Sequence, residues 1–390
     1  MTLLDLVLVV VLVTALVSGL GRGLLATLGG LVGLVVGGVA AFLVVPLVID
    51  ALPTAQWRGP ATVILAVVLP LLGASVGSGV GHTLRRQVDG TPLRPFERLL
   101  GGVASLVVAA VALSFVGTAV KATGTPVIAS AVSSSTVLRT IEDLTPAPVS
   151  RTLAQVRASV LDDGLPRLDG LLDPRRAAVA PAVDLDDPAL EASAQSVARI
   201  WGTAYACGTS MTGSGFASAP DRVVTNAHVV AGVERPLVEL PGRPAQEGRV
   251  VYFDPEADLA VVAVDGLGAD PLTVAPSLAT GDPAAVQGYP HGGPFTSTSA
   301  EVLDVGSVRI PESGGIGGGE RDIYALAATV HPGNSGGPVL STDGDVVGVI
   351  FGRSESDGNL AYGVTTAELM PVVAQAPDLV GAVTPGRCAG

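Results

Sequence analysis

GNSGGP, at Gly333–Pro338, is the stretch on which the interpretation of the whole chain depends. Glycines on both sides of Ser335 permit the sharp backbone path that an exposed nucleophile needs. The same path can turn the N–H groups of Gly333 and Ser335 toward one point, which is the geometry of an oxyanion hole. A string of this composition can also form an ordinary turn. Its meaning therefore depends on the side chains that the rest of the sequence supplies.

A base for the serine must come from one of 4 histidines. A serine hydroxyl is a poor nucleophile at neutral pH and needs such a base within hydrogen-bond reach. His228 lies directly after a predicted strand, in VTNAHVV at 224–230, and is the candidate, although a lone histidine at a strand end is often structural. His82 fits a cytoplasmic loop, His291 fits a turn-rich loop, and His331 fits the edge of the substrate pocket.

Asp258 is the candidate acid that would orient the histidine. It opens the apolar run ADLAVV at 257–262, where an aspartate can also be a solvated turn residue. A catalytic histidine needs an acceptor that fixes its tautomer and stabilises the imidazolium. Because Asp258 lies between His228 and Ser335 in the chain, we assign it this role.

Short Val-rich runs separated by turn residues recur from about residue 193 onward. The clearest predicted strands are Arg222–Thr225, Arg249–Phe253, Leu259–Val264, Ala284–Gln287 and Asp345–Phe351. The one late helix candidate is Thr366–Ala376. Many short strands with a single helix indicate an all-β barrel or sandwich.

In chain order, these motifs resemble those of the chymotrypsin/trypsin-like serine proteases, in which His, Asp and Ser follow one another. The resemblance covers about residues 193–376 and rests on TNAH at 225–228, DLA at 258–260 and GNSGGP. GSGF at 213–216 is similar to the early strand that these barrels place ahead of the histidine. The resemblance implies an all-β chymotrypsin-like double β-barrel with a C-terminal helix.

The same resemblance assigns residues to roles. It implies a triad of His228, Asp258 and Ser335, an oxyanion hole made by the N–H groups of Gly333 and Ser335, and neither metal nor cofactor. The implied substrate pocket is lined by Thr329, Phe351, Gly352, Ala361 and Tyr362. None of these side chains is acidic, so an uncharged P1 residue is predicted.

Four stretches without a charged residue occupy the N-terminal third. Each is about long enough to cross a bilayer core of roughly 30 Å. They are Leu6–Gly21, Gly23–Ile49, Pro60–Gly81 and Leu99–Val120. No Lys or Arg precedes the first, so we expect it to stay attached rather than to be a cleaved signal peptide. With Asp5 and the Gly-Arg-Gly turn at 21–23, this segment resembles the colicin V production (CvpA) family.

Basic residues predict the orientation of the membrane segment. The loops after the first and third stretches hold most of them: Arg22, Arg85, Arg86, Arg94 and Arg98. By the positive-inside rule these loops are cytoplasmic, so the N-terminus and everything after the fourth helix lie outside. Glycines recur every four residues in the second and third stretches, which predicts closely packed helices.

Three parts are therefore predicted: a four-helix transmembrane CvpA-like domain at 1–121, a Pro-rich extracytoplasmic linker at 122–192 and a trypsin-like protease domain at 193–390. One short amphipathic helix is predicted in the linker from the spacing of Leu153, Val156 and Val160. Because proteases cut exposed tethers, self-cleavage in the linker is a hypothesis. Cys207 and Cys388 are predicted to form a disulfide in an oxidising compartment, although spacing alone also allows two free thiols.

The Asn-Ala-His and Gly-Asn-Ser forms are similar to the high-temperature-requirement branch of bacterial proteases, whose members usually append PDZ domains. The stretch after Ser335 is too short for such a module. As a whole, the chain resembles the actinobacterial membrane-anchored, acid-resistance periplasmic serine proteases. That resemblance implies cell-envelope proteins or peptides as substrates and a role in acid and oxidative stress.

Other classes of function fit the sequence less well than a protease does. A net charge of -13 without a Lys/Arg cluster argues against nucleic-acid binding. A non-catalytic membrane scaffold would use the β domain only to bind partners. A secretion or transport component is suggested by the CvpA-like helices, but no charged residue lies mid-membrane to mark an ion route. Neither alternative explains three catalytic residue types in the expected order.

Overall fold

The computed structural model describes residues 2–51, 58–88, 91–122, 132, 135–158, 165–166, 168, 171–172, 182–204, 209–310 and 318–386. It contains two compact units, Met1–Val116 and Gly117–Gly390. The first unit is helical. The second holds the β-rich domain together with the described parts of the predicted linker.

Four long helices begin the chain: α1 (Leu3–Arg22), α2 (Leu24–Ala51), α3 (Arg58–Val88) and α4 (Arg94–Ala122). Within the described residues, three stretches are long and apolar enough to cross a membrane: Leu3–Arg22, Leu24–Val45 and Arg94–Gly117. The remaining expected span, Pro60–Gly81, falls in α3, where several side chains lie outside the description. A fourth span therefore stays a prediction.

The glycine stripes of α2 and α3 face each other. A Cβ at Gly33 would meet the carbonyl oxygen of Gly73, and a Cβ at Gly29 would meet that of Gly77. Both contacts are backbone to backbone, so a larger residue could be accommodated only by separating the helices. The predicted close packing of small-residue faces is confirmed for this pair.

A buried charged pair holds the turn between α1 and α2. Arg85 Nη1 donates to the carbonyl oxygens of Gly21, at 2.6 Å, and Arg22. Glu97 Oε1 accepts from the backbone N–H of Leu25 at 3.2 Å, and Arg85 Nε lies 3.4 Å from Glu97 Oε2. The Gly-Arg-Gly turn is thus stabilised by side chains from α3 and α4.

The predicted linker contains more structure than one helix. It includes α5 (Thr136–Leu144), α6 (Ala147–Ala158) and α7 (Pro188–Ala194). Helix α6 covers Leu153 and Val156, whereas Val160 lies outside the described residues. The expectation of a single short helix was wrong, because further apolar side chains of this segment, among them Leu138, are buried.

Part of this segment also joins the β domain. The N–H of Leu168 donates to the carbonyl of Arg353 at 2.9 Å, and the N–H of Arg353 donates to the carbonyl of Pro166 at 3.1 Å. Pro166 and Leu168 therefore lie beside Arg353, at the edge of the β domain.

Seven strands form the first sheet: β1 (Val197–Ala204), β2 (Thr209–Ala219), β3 (Arg222–Thr225), β4 (Leu237–Glu239), β5 (Gln246–Glu247), β6 (Arg249–Asp254) and β7 (Leu259–Ala263). Their order is β5-β4-β1-β2-β3-β7-β6, and neighbours are antiparallel. A one-turn helix, α8 (Ala227–Val230), follows β3. This half is an antiparallel sheet, and its closure into a barrel stays a proposal.

Six strands close the second half into a barrel: β8 (Pro283–Gly288), β9 (Thr296–Ile310), β10 (Gly319–Ala327), β11 (Pro338–Leu340), β12 (Val346–Arg353) and β13 (Leu360–Thr365). Their order around the barrel is β10-β13-β12-β11-β8-β9. Helix α9 (Thr366–Gln375) follows, as predicted. The five predicted strands all lie within one or two residues of observed ones.

One apolar cluster joins the two halves. It contains Phe216 from β2 and Leu259 from β7, together with Ile323 from β10 and Phe351 from β12. All four side chains are fully buried. Because packed interiors are close to crystalline density, this shared core fixes how the strands that carry the candidate site face one another.

Candidate active site

The ladder between β3 and β7 brings His228 and Asp258 together. Thr225 pairs with Ala260, so the chain leaving β3 and the chain entering β7 are neighbours. Asn226 caps the short helix α8, and its Nδ2 donates to the carbonyl of Asp258 at 2.8 Å. Two residues later, His228 lies beside the carboxylate.

The Asp258 carboxylate binds His228 at three points. Nδ1 of the imidazole lies 2.8 Å from Oδ2 and 3.0 Å from Oδ1, and the backbone N–H of His228 donates to Oδ1 at 3.0 Å. Both side chains are buried. A carboxylate can only accept, so the Nδ1 proton belongs on the histidine and Nε2 of the neutral ring is the free base.

Arg321 supports the turn before Asp258, and sequence reasoning missed it. Asp258 has φ 51°, a left-handed conformation that is unusual outside glycine. Arg321 on β10 donates through Nε to the carbonyl of Glu256 and through Nη2 to that of Pro255, at 3.3 Å. Burial lowers the pKa of the Arg321 guanidinium from its ordinary value, and Asp258 opposes that shift. A buried cation thus holds the strained turn.

Ser335 and the helix of His228 converge on strand β2. The N–H of Ser214 donates to the carbonyl of Ser335 at 2.7 Å. A Cβ at Gly213 would lie 3.0 Å from that carbonyl oxygen and 2.6 Å from the side chain of Val229. The GSGF motif is therefore the surface on which the serine loop and α8 meet.

The Ser–His hydrogen bond of a triad is not formed in this structure. Ser335 Oγ and His228 Nε2 are both buried, and neither has a hydrogen-bond partner among the described residues. Catalytic hydrogen bonds are often long before substrate binds and shorten in the complex. The Asp–His half is in place, and the Ser–His hydrogen bond has still to form.

The peptide bond between Pro332 and Gly333 is held in place by a hydrogen bond to its carbonyl group. Gly333 has φ 95°, and the N–H of Asn334 donates to the carbonyl of His331 at 2.9 Å, as in a type II turn. The carbonyl of Pro332 accepts from the N–H of His291, in the turn Pro290–Gly292. In a trans peptide the N–H points opposite to the carbonyl, so the Gly333 N–H faces away from that turn.

The peptide that ends at Ser335 is held in the same way. The carbonyl of Asn334 accepts from the N–H of Gly337 at 2.9 Å, which turns the Ser335 N–H to the opposite side. Within the part of the chain that the structure describes, neither the Gly333 nor the Ser335 N–H donates a hydrogen bond. The Gly333 N–H and the serine's own N–H are thus held in place and unused, as stabilisation of an oxyanion requires.

The predicted pocket residues have different surroundings. Phe351 and Tyr362 are fully buried, with ring centroids 6.5 Å apart, in the apolar core. Thr329 Oγ1 donates to Asn359 Oδ1 at 2.9 Å. Leu168 covers Gly352, since a Cβ there would lie 3.2 Å from its Cδ1. Phe351 and Tyr362 can therefore support a pocket wall from behind but do not open onto solvent here.

The predicted disulfide falls on residues that the structure does not describe. Cys207 and Cys388 lie outside the described residues, so the disulfide stays a prediction.

Comparison with known proteins agrees with both halves of the chain. The model of the trypsin-like peptidase domain matches residues 213–349, and that of the colicin V production protein matches residues 4–146. The chain is 33% identical over 322 residues to the serine protease Rv3671c of Mycobacterium tuberculosis, and the match covers 79% of each chain.

Further relatives share the β-rich half. The crystal structure of the active form of that mycobacterial protease is 34% identical, with a TM-score of 0.51, covering 58% of this chain and 100% of the solved one. A probable periplasmic serine endoprotease, DegP-like, of Halomonas elongata is 32% identical over 173 residues, which is 42% of this chain and 34% of that protein.

Proposed function

Since this chain belongs to the family of membrane-anchored, trypsin-like serine proteases that includes Rv3671c, we propose that His228, Asp258 and Ser335 are the catalytic triad of this serine endopeptidase. The buried Asp258–His228 pair, with Nδ1 2.8 Å from Oδ2, is the observation that carries the proposal. It leaves Nε2 of His228 as the free base, and β2 contacts both the serine loop and the helix that carries His228.

The mechanism follows from these positions. His228 Nε2 takes the Ser335 hydroxyl proton as the oxygen attacks the peptide carbonyl. The N–H groups of Gly333 and Ser335 bind the oxyanion, and loss of one such donor typically costs about 3 kcal/mol of transition-state stabilisation. The imidazolium, stabilised by Asp258, then protonates the leaving amine. Water then attacks the acyl-enzyme, and His228 Nε2 takes its proton and returns it to Ser335 Oγ as the acid product leaves.

Peptide hydrolysis by the full chain in detergent tests this assignment. Ser335→Ala and His228→Ala should each lower kcat by at least about 10⁴-fold, because triad members act as a unit. Ser341→Ala, a serine in the same barrel that does not contact the triad, is the matched control and should retain activity. Full activity in Ser335→Ala would remove the proposal.

We further propose that residues lining the pocket accept an uncharged P1 side chain. Thr329 and Gly352, predicted lining residues with no aromatic side chain in the core, carry no charge. A library of peptides that varies only P1 should show preference for apolar or small residues. A preference for Lys or Arg would contradict this.

The protease domain is proposed to lie outside the cytoplasm, on four spans of which α3 is one. The arginines at the end of α1, at the end of α3 and at the start of α4 support this orientation, and they are Arg22, Arg85, Arg86, Arg94 and Arg98. Alkaline phosphatase fused after Ala122 should be active, because the enzyme matures only outside the cytoplasm, and a fusion after Val88 should be inactive. The opposite pattern would reverse the topology.

Cell-envelope proteins are the proposed substrates, with acid and oxidative stress as the setting, and the location of the domain supports this class. Proteomic comparison of envelope fractions from strains with active enzyme and with Ser335→Ala should reveal substrates that accumulate only in the variant. Identical fractions under acid and oxidant would argue against the role.

Self-cleavage in the linker is proposed as well. Intact masses of the chain in membranes should show a shortened product with active enzyme and only the full-length species with Ser335→Ala. A single full-length species in both would exclude it.

A further inference from the structure

Ser214 has an unusual number of hydrogen bonds to the backbone around the candidate site. It lies on β2, is completely buried, and is two residues before Phe216 of the shared core. Its N–H donates to the carbonyl of Ser335 at 2.7 Å, and its own carbonyl accepts from Thr225 Oγ1 at 2.7 Å. Its backbone thus connects the nucleophile loop with the segment that leads to His228.

The Ser214 hydroxyl satisfies two further backbone groups. Oγ donates to the carbonyl of Gly333 at 2.7 Å and accepts from the N–H of Tyr289 at 2.9 Å. A hydroxyl has one proton and two lone pairs, so this side chain can serve a carbonyl and an N–H at once. Tyr289 also directly precedes the turn Pro290–Gly292. In that turn the N–H of His291 donates to the carbonyl of Pro332.

These bonds fix the peptide planes next to the two oxyanion donors, the N–H groups of Gly333 and Ser335. The Gly333 carbonyl belongs to the plane between Gly333 and Asn334, which lies between the two donor peptides. With that carbonyl fixed by Ser214 and the flanking carbonyls fixed by His291 and Gly337, all three consecutive planes are held. Without the Ser214 hydroxyl the middle plane would keep the bond from the Asn334 N–H to the carbonyl of His331, at 2.9 Å, but its own carbonyl could shift and turn the donor peptides on either side.

We propose that Ser214 is a positioning residue whose hydroxyl holds the oxyanion loop in the orientation that catalysis needs. The proposal rests on the function assigned above to Gly333 and Ser335. Ser214 does not contact the reacting atoms. It acts through the Gly333 carbonyl, and through Tyr289 it ties the loop to the turn at Pro290–Gly292.

The site has no room for a substitute donor. A Cβ at Gly288 would lie 2.7 Å from Ser214 Oγ, and a Cβ at Gly337 would lie 3.4 Å from Ser214 Cβ. A water molecule needs about 30 Å³ of its own, which removal of one oxygen atom does not supply. In Ser214→Ala the Gly333 carbonyl and the Tyr289 N–H would therefore remain buried without partners.

The test compares Ser214→Ala with Ser218→Ala in the full chain in detergent. Ser218 lies on the same strand, and its Oγ has no hydrogen-bond partner among the described residues. We expect kcat of Ser214→Ala to fall by about 10- to 100-fold with KM unchanged, since oxyanion donors act mainly in the transition state. Ser218→Ala should stay within about twofold of wild type.

Two inhibitors separate positioning from loss of structure. Ser335 Oγ adds to the carbonyl carbon of a peptide aldehyde, the Ser335 proton passes to His228, and the resulting oxyanion lies at the oxyanion donors. The matching peptide alcohol forms no such adduct and only fills the pocket. In Ser214→Ala the Ki of the aldehyde should rise by the same factor by which kcat falls, and the Ki of the alcohol should not change. Unchanged kcat and aldehyde Ki, or equal losses for both inhibitors, would overturn the proposal.

Ser214→Cys decides the matter if Ser214→Ala does not fold. A thiol keeps the shape and a weak donor, so this variant should show kcat between those of wild type and Ser335→Ala, with the same split between the two inhibitors. Wild-type behaviour of both inhibitors with Ser214→Cys would contradict the role of the hydroxyl. If Ser335→Ala itself remained active, the proposed function would fail instead.

Discussion

The Nδ1 atom of His228 lies 2.8 Å from Oδ2 of Asp258, and the same carboxylate accepts from the His228 backbone N–H at 3.0 Å. Side chain and backbone of the histidine are therefore oriented by one group. The arrangement fixes both the ring plane and the tautomer of His228, so even an isosteric substitution of Asp258 should change the tautomer.

Asp258→Asn should keep the fold and lose most activity. The amide has nearly the same shape, but its NH₂ group favours a proton on Nε2 rather than on Nδ1, which removes the base. We expect kcat to fall by about 10⁴-fold. Peptide hydrolysis with thermal unfolding as a control checks this, and a variant with near wild-type kcat would contradict it.

Arg321→Met should disturb the turn that carries Asp258. The change removes the donors for the carbonyls of Pro255 and Glu256, and a hydrogen bond to a charged group contributes about 1.5–3 kcal/mol. A fall in the free energy of unfolding of that size, together with lower kcat, is expected. Arg309→Met, at an exposed position on β9, should be neutral. Equal behaviour of the two variants would show that Arg321 does not hold the turn.

Glu97→Ala should destabilise the helical unit. It leaves Arg85 buried without its carboxylate, and breaking a buried pair in this way costs about 3–5 kcal/mol. We expect a lower midpoint of thermal unfolding in detergent. His82→Ala, at an exposed position of α3, is the control. An unchanged midpoint in Glu97→Ala would mean that the turn at 21–23 is held by other contacts.

A bridge between Cys207 and Cys388 should be detectable by mass. Closing so long a loop is worth roughly 5 kcal/mol in the entropic account. We expect the two peptides to be linked without reductant, and reductant to lower both the unfolding midpoint and the peptidase rate. Equal rates in both conditions would separate activity from the bridge.

The strands and the α9 helix were predictable because alternating Val-rich runs and their turns are local signals. Arg222–Thr225 was predicted to its ends, and Leu259–Val264 to within one residue. The glycine stripes predicted the contact of α2 with α3 for the same reason: each stripe is visible along one helix. The helices in the linker were harder to predict because proline-rich composition masks them.

Supporting residues of the site were not predictable in their roles. Ser214 stood within the GSGF motif, yet its bonds to Gly333 and Tyr289 join segments far apart in the chain. Arg321 lies in no motif. Its role depends on the packing of β10 against the turn before Asp258, which the sequence does not indicate. Covering of Gly352 by Leu168 likewise depends on tertiary packing, so the spacing of residues could not indicate it.

Labelling of the full chain with a fluorophosphonate, followed by peptide mapping, tests the central assignment most directly, because the reagent reacts only with a serine activated by a base. The account predicts one labelled site, Ser335, with labelling lost in Ser335→Ala and slowed by orders of magnitude in His228→Ala. Labelling at another serine, or labelling of Ser335 at the same rate in His228→Ala, would contradict it.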